Sequence, residues 1–288
     1  MYSNLDCFAC VVRRATEAVK HSGLDRERQG EILSEVLKTL SAIGNPNNGS
    51  ADMIKQTFQV IRDFGDIHDP LENVKSYCMD VALRAYPELK HTLDQAEDRF
   101  STAVRIAMAG NIIDHSREDL QDNLALFRSI EDALSRPLVI NHIDALKEEV
   151  SKASKILYLA DNAGETVFDR ILIEEMPTDR IVYGVKGSPV SVDATLRDAA
   201  IAGLTDVVEV KEDGSDFPAL YLDRCSDDFR NTFEEADLVI AKGQANLKSL
   251  GSLDKNIFFL VRIRCKVTAY QSKLSVGDFL VKGLRVES

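Results

Sequence analysis

The sequence predicts an α/β protein: a three-layer α/β/α sandwich with a mostly parallel sheet, preceded by a helical N-terminal region. Two observations support this prediction. Apolar residues recur at three- and four-residue steps through the first half of the 288-residue chain, and short β-branched runs alternate with helix-like segments in the second half. The change of pattern divides the chain into a helical region over residues 1–150 and an α/β domain over residues 151–288.

The first half has the spacing of amphipathic helices. Gly23 interrupts the first segment, and residues 41–50 are rich in Gly, Pro and Asn, which predicts a loop. Further breaks are expected near residues 110–116 and at Pro137. Helical segments are expected over residues 11–40, 51–65, 70–86 and 87–150.

The second half contains five short runs that are continuously apolar rather than alternating. This pattern is typical of strands that are buried on both faces of a parallel sheet. Helix-like segments separate most of the runs, as in a doubly wound domain. The strands are expected at residues 156–160, 180–185, 206–210, 236–241 and 256–263.

Composition and charge narrow the possible partners. The chain carries 35 Lys and Arg against 47 Asp and Glu, a formal net charge of −12. Nucleic acids and anionic membranes require a cationic surface, so we expect neither as a partner. No apolar run approaches the roughly 20 residues that span a bilayer, and the N-terminus lacks the pattern of a secretory signal, so we expect a cytoplasmic protein. Five Cys, an odd number, do not suggest a disulfide framework.

Polar clusters follow four of the five predicted strands, where ligands of such sheets bind. The remaining strand is followed by residues 211–214, which are expected to form an ordinary solvated turn. The clusters comprise residues 161–165, residues 186–189 leading to Asp193, residues 242–246, and residues 264–266.

These residue types suit metal-assisted phosphoryl chemistry. Asp161, Asn162 and Asp193 offer the hard oxygen ligands that Mg²⁺ or Mn²⁺ prefers. Lys242 and Arg264 offer positive charge for a phosphate group. A cation held by carboxylates and facing basic groups is the usual equipment for this chemistry.

Gly164 and Gly243 also expose backbone N–H groups at helix starts, which can bind an anion. Simpler interpretations exist for the charged residues. Asp161 can be a turn residue and Asp193 a helix N-cap, because Asp and Asn are favoured at both places. Lys242 can simply be solvated. The convergence of four clusters at one sheet edge favours the metal and phosphate interpretation.

Four of these segments together resemble the metal-dependent damage-control phosphatases, a family long catalogued as a domain of unknown function. They are DNAGE (161–165), SPVSVDAT (188–195), AKGQANL (241–247) and GNIIDH (110–115). The N-terminal residues 6–10 (DCFAC) and the stretch from His68 to Lys75 are similar to the stand-alone microbial branch with an N-terminal C-x-x-C. The resemblance covers nearly the whole chain in the right order.

The resemblance implies a helical N-terminal region that contributes to the substrate pocket and an α/β metal-binding catalytic domain. It implies hydrolysis of small phosphorylated metabolites, such as sugar phosphates or damaged phosphometabolites, with Mn²⁺ or Ni²⁺ as the favoured cofactor and Mg²⁺ or Co²⁺ as alternatives. The metal ligands fall on Asp161, Asn162 and Asp193, and Glu165 is the candidate that orients the attacking water. Substrate and phosphate contacts fall on Asn111, Asp114, Lys242, Gly243, Gln244, Asn246 and Arg264.

Cys7 and Cys10 form a single C-x-x-C, which can be redox-active or half of a zinc site. No second C-x-x-C completes a tetrahedral set, so we favour packing of both thiols as small hydrophobic groups. Among the histidines, His115, beside Asp114, is the one expected near the site.

Two other function classes are retained. A strand followed by an acidic, Gly-containing turn can hold S-adenosylmethionine, which makes a methyltransferase one alternative, and the family resemblance implies a carboxyl group as its target. Against it, residues 161–165 lack the multi-glycine turn of nucleotide sites. A non-catalytic metabolite-binding or zinc-binding module built on Cys7 and Cys10 is the other alternative. The sequence does not define the oligomeric state or the physiological substrate.

Overall fold

The computed structural model describes residues 5–43, 49–112 and 130–286. The N-terminal half is helical, as the spacing predicts. Its helices are α1 (Leu5–His21), α2 (Arg26–Ile43), α3 (Ser50–Gly65), α4 (Glu72–Asp94) and α5 (Arg99–Ala109). The later helices are α6 (Ile143–Lys152), α7 (Thr166–Ile173), α8 (Leu196–Ile201), α9 (Asp227–Glu235), α10 (Gly243–Leu250) and α11 (Lys266–Ser272).

The described residues form a seven-stranded sheet in the order β1-β7-β6-β5-β2-β3-β4. All neighbouring strands are parallel except β6 and β7. The mostly parallel α/β prediction is therefore confirmed. The strands are β1 (Leu138–Asn141), β2 (Ile156–Leu159), β3 (Ile181–Val185), β4 (Glu209–Glu212), β5 (Leu238–Lys242), β6 (Ile257–Arg262) and β7 (Phe279–Gly283).

Two strands differ from the sequence expectation. Helical spacing was expected to continue through residues 138–141, but these residues form the edge strand β1, which pairs with β7. Strand β7 was not expected at all, and it lies between β1 and β6, antiparallel to β6. A strand from before residue 150 thus belongs to the same sheet as strands from after it, and the division at residue 150 stays a prediction.

The alternation of side chains along the central strands builds a core on each face of the sheet. On β2, Ile156 and Tyr158 face the core that includes the N-terminal helices, whereas Leu157 and Leu159 face a second core with Phe229. All four β2 side chains are buried. Burial on both faces explains why the central strands have continuous apolar sequences.

The N-terminal helices pack against the segments that follow the strands. Helices α4 and α5 contact α7, and α4 also contacts residues 163–165. Arg62 of α3 donates to the carbonyl oxygen of Pro189 at 2.6 Å and to Asp216 at 3.2 Å. The helical region is thereby fixed to the loops at the carboxyl edge of the sheet.

Within the described ranges, no helix combines the length and the apolar composition needed to cross a membrane.

Candidate active site

The predicted ligands lie at the carboxyl end of β2, the strand at the middle of the parallel part of the sheet. After β2 and β3, the two connecting loops run briefly alongside each other, with an antiparallel bridge between Asn162 and Asp193. The N–H of Ala194 donates to the carbonyl oxygen of Asp161 at 2.9 Å. This pairing brings Asp161, Asn162 and Asp193 to one place, although they are separated by up to 32 residues in sequence.

Glu165 organises the two amides beside these residues. Its Oε1 accepts hydrogen bonds from Nδ2 of Asn162 at 2.7 Å and from Nδ2 of Asn111 at 2.6 Å. A carboxylate oxygen only accepts, so it fixes which end of each amide is the NH₂ group. The carbonyl oxygens of both amides are therefore left for other partners. The Nδ2 atom of Asn111 also lies 3.3 Å from Oδ2 of Asp161.

Lys242 lies in a buried ionic cluster. Its Nζ donates to Asp169 at 2.6 Å and to the carbonyl oxygen of Ala107 at 2.7 Å, and it lies 3.0 Å from Glu165 Oε2. Burial alone would lower the pKa of Lys242, but the charges of Asp169 and Glu165 outweigh it and raise the pKa, so the side chain stays an ammonium group. The structure therefore places Lys242 among carboxylates rather than in solvent.

Asp169 completes this cluster, and sequence reasoning missed it. Tyr158 and Tyr183 donate their hydroxyls to its two oxygens at 2.9 and 2.8 Å. Asp169 is fully buried on α7, in the run TVFDRILI. The available signal was an acidic residue on the otherwise apolar, buried face of a short helix, because a buried charge requires a partner.

Gly243 follows Lys242 with a positive φ of +82°. A Cβ at this position would overlap the carboxylate of Asp161. Only glycine combines this backbone conformation with such a close approach. The first turn of α10 therefore packs directly against the Asp161 side chain.

The carboxylates of the site raise one another's proton affinity. Burial, together with the charges of Glu165 and Asp193, raises the pKa of Asp161 well above its usual range. Burial also raises the pKa of Asp193, although Lys186, Arg14 and a hydrogen bond from the Ala219 backbone oppose it. A further positive charge at this place would relieve the repulsion.

Lys186 and Asp213 form a second buried pair. Lys186 Nζ lies 2.7 Å from Asp213 Oδ2 and donates to the carbonyl oxygen of Ala219 at 2.7 Å. Asp213 also accepts from the backbone N–H groups of Gly187 and Ser215. The expectation that residues 211–214 form an ordinary solvated turn is wrong, because Asp213 is only 2% exposed. Its partner comes from another loop, so no local sequence signal identified it.

The remaining predicted residues occupy different environments. Asn246 is buried, and its side chain binds three backbone groups, those of Leu220, Ala160 and Lys242. Gln244 Oε1 accepts from the backbone N–H of Arg264 at 3.1 Å, which turns its NH₂ group away from Arg264. Burial, followed by the charges of Arg14 and Arg13, lowers the pKa of Arg264 to about 10.

Asp114 and His115 lie outside the described residues. Cys7 is buried in the core beside other α1 residues, whereas Cys10 is partly exposed. Core packing thus accounts for Cys7 alone.

Arg14 of α1 lies near the site, and no sequence pattern identified it. Its Nη1 donates to Ser191 Oγ at 3.2 Å. Ser191 is buried, has a positive φ of +50° and lies two residues before Asp193. Lys75 is also buried, 2.9 Å from Asp69 Oδ2 and 3.9 Å from Asp198 Oδ2.

The donor set at the end of β2 suits a divalent cation. Asp161, Asn162 and Asp193 supply oxygen, and Asn111 Oδ1 is a buried acceptor without a donor among the described residues. Such an atom is costly unless a cation or a water satisfies it. Within the described ranges no three His, Cys, Asp or Glu side chains form a ligand group by themselves. The cation would therefore need amide oxygen, water or substrate as additional ligands.

Comparison with known proteins gives relatives that match along nearly the whole chain. A curated protein of Methanocaldococcus jannaschii, named only as uncharacterised, is 32% identical over 284 residues, covering 95% of this chain and 92% of its own. A damage-control phosphatase of Archaeoglobus fulgidus is 30% identical over 285 residues, covering 96% of this chain and 97% of its own. The crystal structure of a DUF89 family protein of Pyrococcus horikoshii matches with a TM-score of 0.89 at 28% identity, covering 99% of this chain and all of that one.

The model of the damage-control phosphatase ARMT1-like domain matches residues 3–280. This range includes all seven strands except the end of β7, and every residue placed above at the edge of the sheet. The chain belongs to the damage-control phosphatase ARMT1-like domain family.

Proposed function

We propose that this protein is a metal-dependent phosphatase that hydrolyses small phosphorylated metabolites with an activated water. The observation that supports the proposal most strongly is the meeting of Asp161, Asn162 and Asp193 at the end of β2, beside the unsatisfied amide oxygen of Asn111. Oxygen ligands of this type, with buried basic groups close by, suit phosphoryl transfer.

The comparison favours a phosphatase over the methyltransferase alternative, since the relative from Archaeoglobus fulgidus is named a damage-control phosphatase. The segment after β2 also carries a single glycine, Gly164, where nucleotide sites use several. A module organised around Cys7 and Cys10 is less favoured, because Cys7 packs into the core.

In this proposal Asp161, Asn162 and Asp193 hold the cation. Mn²⁺ or Ni²⁺ is the favoured ion, and Mg²⁺ or Co²⁺ is an alternative, because such oxygen ligands accept several divalent ions. When bound, the cation supplies polarisation of a phosphoryl oxygen and makes water a stronger acid.

Glu165 has two roles in the proposal. It fixes Asn162 and Asn111 through Oε1, so that both amides turn their carbonyl oxygens toward other partners. It also orients the attacking water. Lys242 supplies the positive charge beside Glu165 and Asp169, since its Nζ lies 3.0 and 2.6 Å from these buried carboxylates.

The start of α10 receives the phosphoryl oxygens. The first backbone N–H groups of a helix have no partner within the helix and carry partial positive charge. Gly243 places this turn against Asp161, and the NH₂ group of Gln244 has no acceptor among the described residues. Arg264 adds positive charge close to Gln244.

The test is hydrolysis of an aryl phosphate by the full chain, assayed with added Mn²⁺ or Ni²⁺ and after treatment with a chelator. We expect activity that requires the added ion and that falls by about 100-fold or more in Asp161→Ala, since ligand removal takes the cation away from the reaction. Asp179→Ala is the matched control, because Asp179 is exposed and precedes β3 at the opposite edge of the sheet.

Full metal-dependent turnover in Asp161→Ala would show that the ligand assignment is wrong. For wild type that hydrolyses the aryl phosphate, a screen of phosphorylated metabolites with each of the four ions identifies the substrate class.

A further inference from the structure

We propose that Arg14 binds the phosphoryl group of the substrate, from the N-terminal helix α1 that faces the edge of the sheet. This inference rests on the proposed function. In this inference, a residue that no sequence pattern identified neutralises the negative charge of the phosphoryl group.

The lysines near the site already have partners. Lys242 Nζ donates to Asp169 and to the carbonyl oxygen of Ala107, and Glu165 Oε2 lies 3.0 Å away as a further ion-pair partner. A phosphate would have to enter this buried cluster and compete with these acceptors for Lys242. The same holds in weaker form for Lys186, which has Asp213 and a carbonyl oxygen as partners.

Arg14 differs from these lysines. Its one hydrogen bond to a described residue goes to the neutral hydroxyl of Ser191 at 3.2 Å, and no described carboxylate lies within 4.0 Å of its guanidinium. A guanidinium has five N–H groups in a planar fork that matches phosphate. Most of this binding capacity therefore remains for a ligand.

The position of Arg14 suits the phosphoryl group. Ser191 lies two residues before Asp193, so the hydrogen bond from Arg14 to Ser191 places the guanidinium on the loop that carries this proposed ligand. The charge of Arg14 also acts on Arg264, which follows β6 at the same edge of the sheet, and lowers its pKa. Two cations near each other at the rim of a carboxylate site are stabilised by an anion between them.

A purely structural role for Arg14 is not needed to hold the helical region in place. Arg62 already attaches α3 to the same loop through Pro189 and Asp216, and Lys55 lies 3.3 Å from Asp216. The Arg14 bond to Ser191 instead engages one nitrogen of the guanidinium, and its other N–H groups donate to no described residue. This arrangement suits a group that binds an anion better than one that only holds two segments together.

The experiment compares Arg14→Gln and Arg14→Lys with wild type in two measurements. The first is steady-state hydrolysis of an aryl phosphate with saturating Mn²⁺, and the second is calorimetric binding of inorganic phosphate to the Mn²⁺-loaded protein. We expect Arg14→Gln to raise both KM and the phosphate dissociation constant by about tenfold to 100-fold, with Mn²⁺ affinity unchanged. Arg14→Lys should lie between, because it keeps the charge and loses the fork.

Arg13→Gln is the matched control, since Arg13 is the adjacent residue, is exposed and pairs with Glu17. It removes the same charge from the same helix and should change KM and phosphate affinity by less than about threefold. Thermal unfolding of all variants identifies any loss of folding. Should Arg14→Gln fail to fold, Arg14→Lys still decides, because loss of the fork alone should weaken phosphate binding several-fold.

Unchanged phosphate affinity in Arg14→Gln, or a change equal to that of Arg13→Gln, would overturn the inference while metal-dependent hydrolysis by wild type stands. The opposite pattern separates the two proposals: phosphate bound through Arg14 without any hydrolysis contradicts the proposed function and keeps Arg14 as an anion site. A wild-type protein that binds no phosphate contradicts the Arg14 assignment itself.

Discussion

Gly243 lies so close to Asp161 that any side chain at position 243 would overlap the Asp161 carboxylate. The two residues follow different strands, β5 and β2, which are hydrogen-bonded neighbours. The start of α10 therefore packs directly against the carboxylate that follows β2. We expect a substitution in one of them to displace the other.

Gly243→Ala is the direct test of this packing. We expect a loss of about 1–3 kcal/mol in the free energy of unfolding, because alanine is strained at a φ of +82°, and a larger loss of activity, because the new methyl group displaces Asp161. Denaturant unfolding and the aryl phosphate assay measure the two effects. Gly30→Ala is the control: Gly30 lies in α2 with open space around it, and alanine there should stabilise by about 0.5–1 kcal/mol. Equal stability of Gly243→Ala and wild type would contradict the packing argument.

Lys242→Met tests the buried ionic cluster. Removing the ammonium leaves Glu165 and Asp169 buried without their cation, and we expect the free energy of unfolding to fall by about 3–5 kcal/mol. Lys152→Met removes an exposed lysine paired with Glu148 and should cost less than about 1 kcal/mol. Urea unfolding of both variants at pH 7 gives the comparison. Similar small losses in the two would mean that the Lys242 ion pairs do not form in solution.

Asp213→Asn tests the pair that the sequence did not reveal. The substitution keeps the shape of the side chain but leaves Lys186 without a buried counter-charge, so we expect a loss of about 3 kcal/mol or more. Asp223→Asn, at an exposed pair with Arg224, should change stability by less than about 0.5 kcal/mol. If Asp213 instead belongs to a solvated turn, the two variants will unfold at the same urea concentration.

Glu174 gives a pH dependence that lies away from the proposed metal ligands. Partial burial raises the pKa of Glu174, but hydrogen bonds from Lys90 and Arg170 outweigh it, and the folded-state pKa lies below the ordinary value of 4.5. A depressed pKa contributes stability that is present above 4.5 and is lost as the pH falls through the folded-state value. The stability difference between wild type and Glu174→Gln should therefore be largest near pH 7 and shrink below pH 4.5. Urea unfolding midpoints of both proteins, measured across this pH range, test the prediction. A stability difference that grows as the pH falls would contradict it.

The sequence predicted the central strands because each is apolar on both faces. Strands β2, β3, β5 and β6 coincide with continuous apolar runs. Strand β4 begins at Glu209, three residues later than expected, because residues 204–206 form a short 3₁₀ turn. Strand β1 was missed because its apolar run, Leu138 to Ile140, is only three residues long and is bounded by Pro137 and Asn141.

The candidate site was predictable to the extent that it follows strand ends. Asp161 and Asp193 were found because parallel strands deliver their carboxyl ends to one edge. The partners of Lys242 and Lys186 were not predicted, because Asp169 and Asp213 contact these lysines only through tertiary packing. Arg14 comes from a helix about 180 residues away along the chain from Ser191, and no local pattern indicates that contact.

The central claim is that Asp161, Asn162 and Asp193 bind one divalent cation. Calorimetric titration of the metal-free full chain with Mn²⁺ tests it most directly, using Asp161→Asn and Asp193→Asn as the variants and Asp179→Asn as the control. We expect one Mn²⁺ per chain in wild type and in the control, and affinity reduced by about 100-fold or more in each ligand variant. Stoichiometric Mn²⁺ binding that persists unchanged in both ligand variants would contradict the claim.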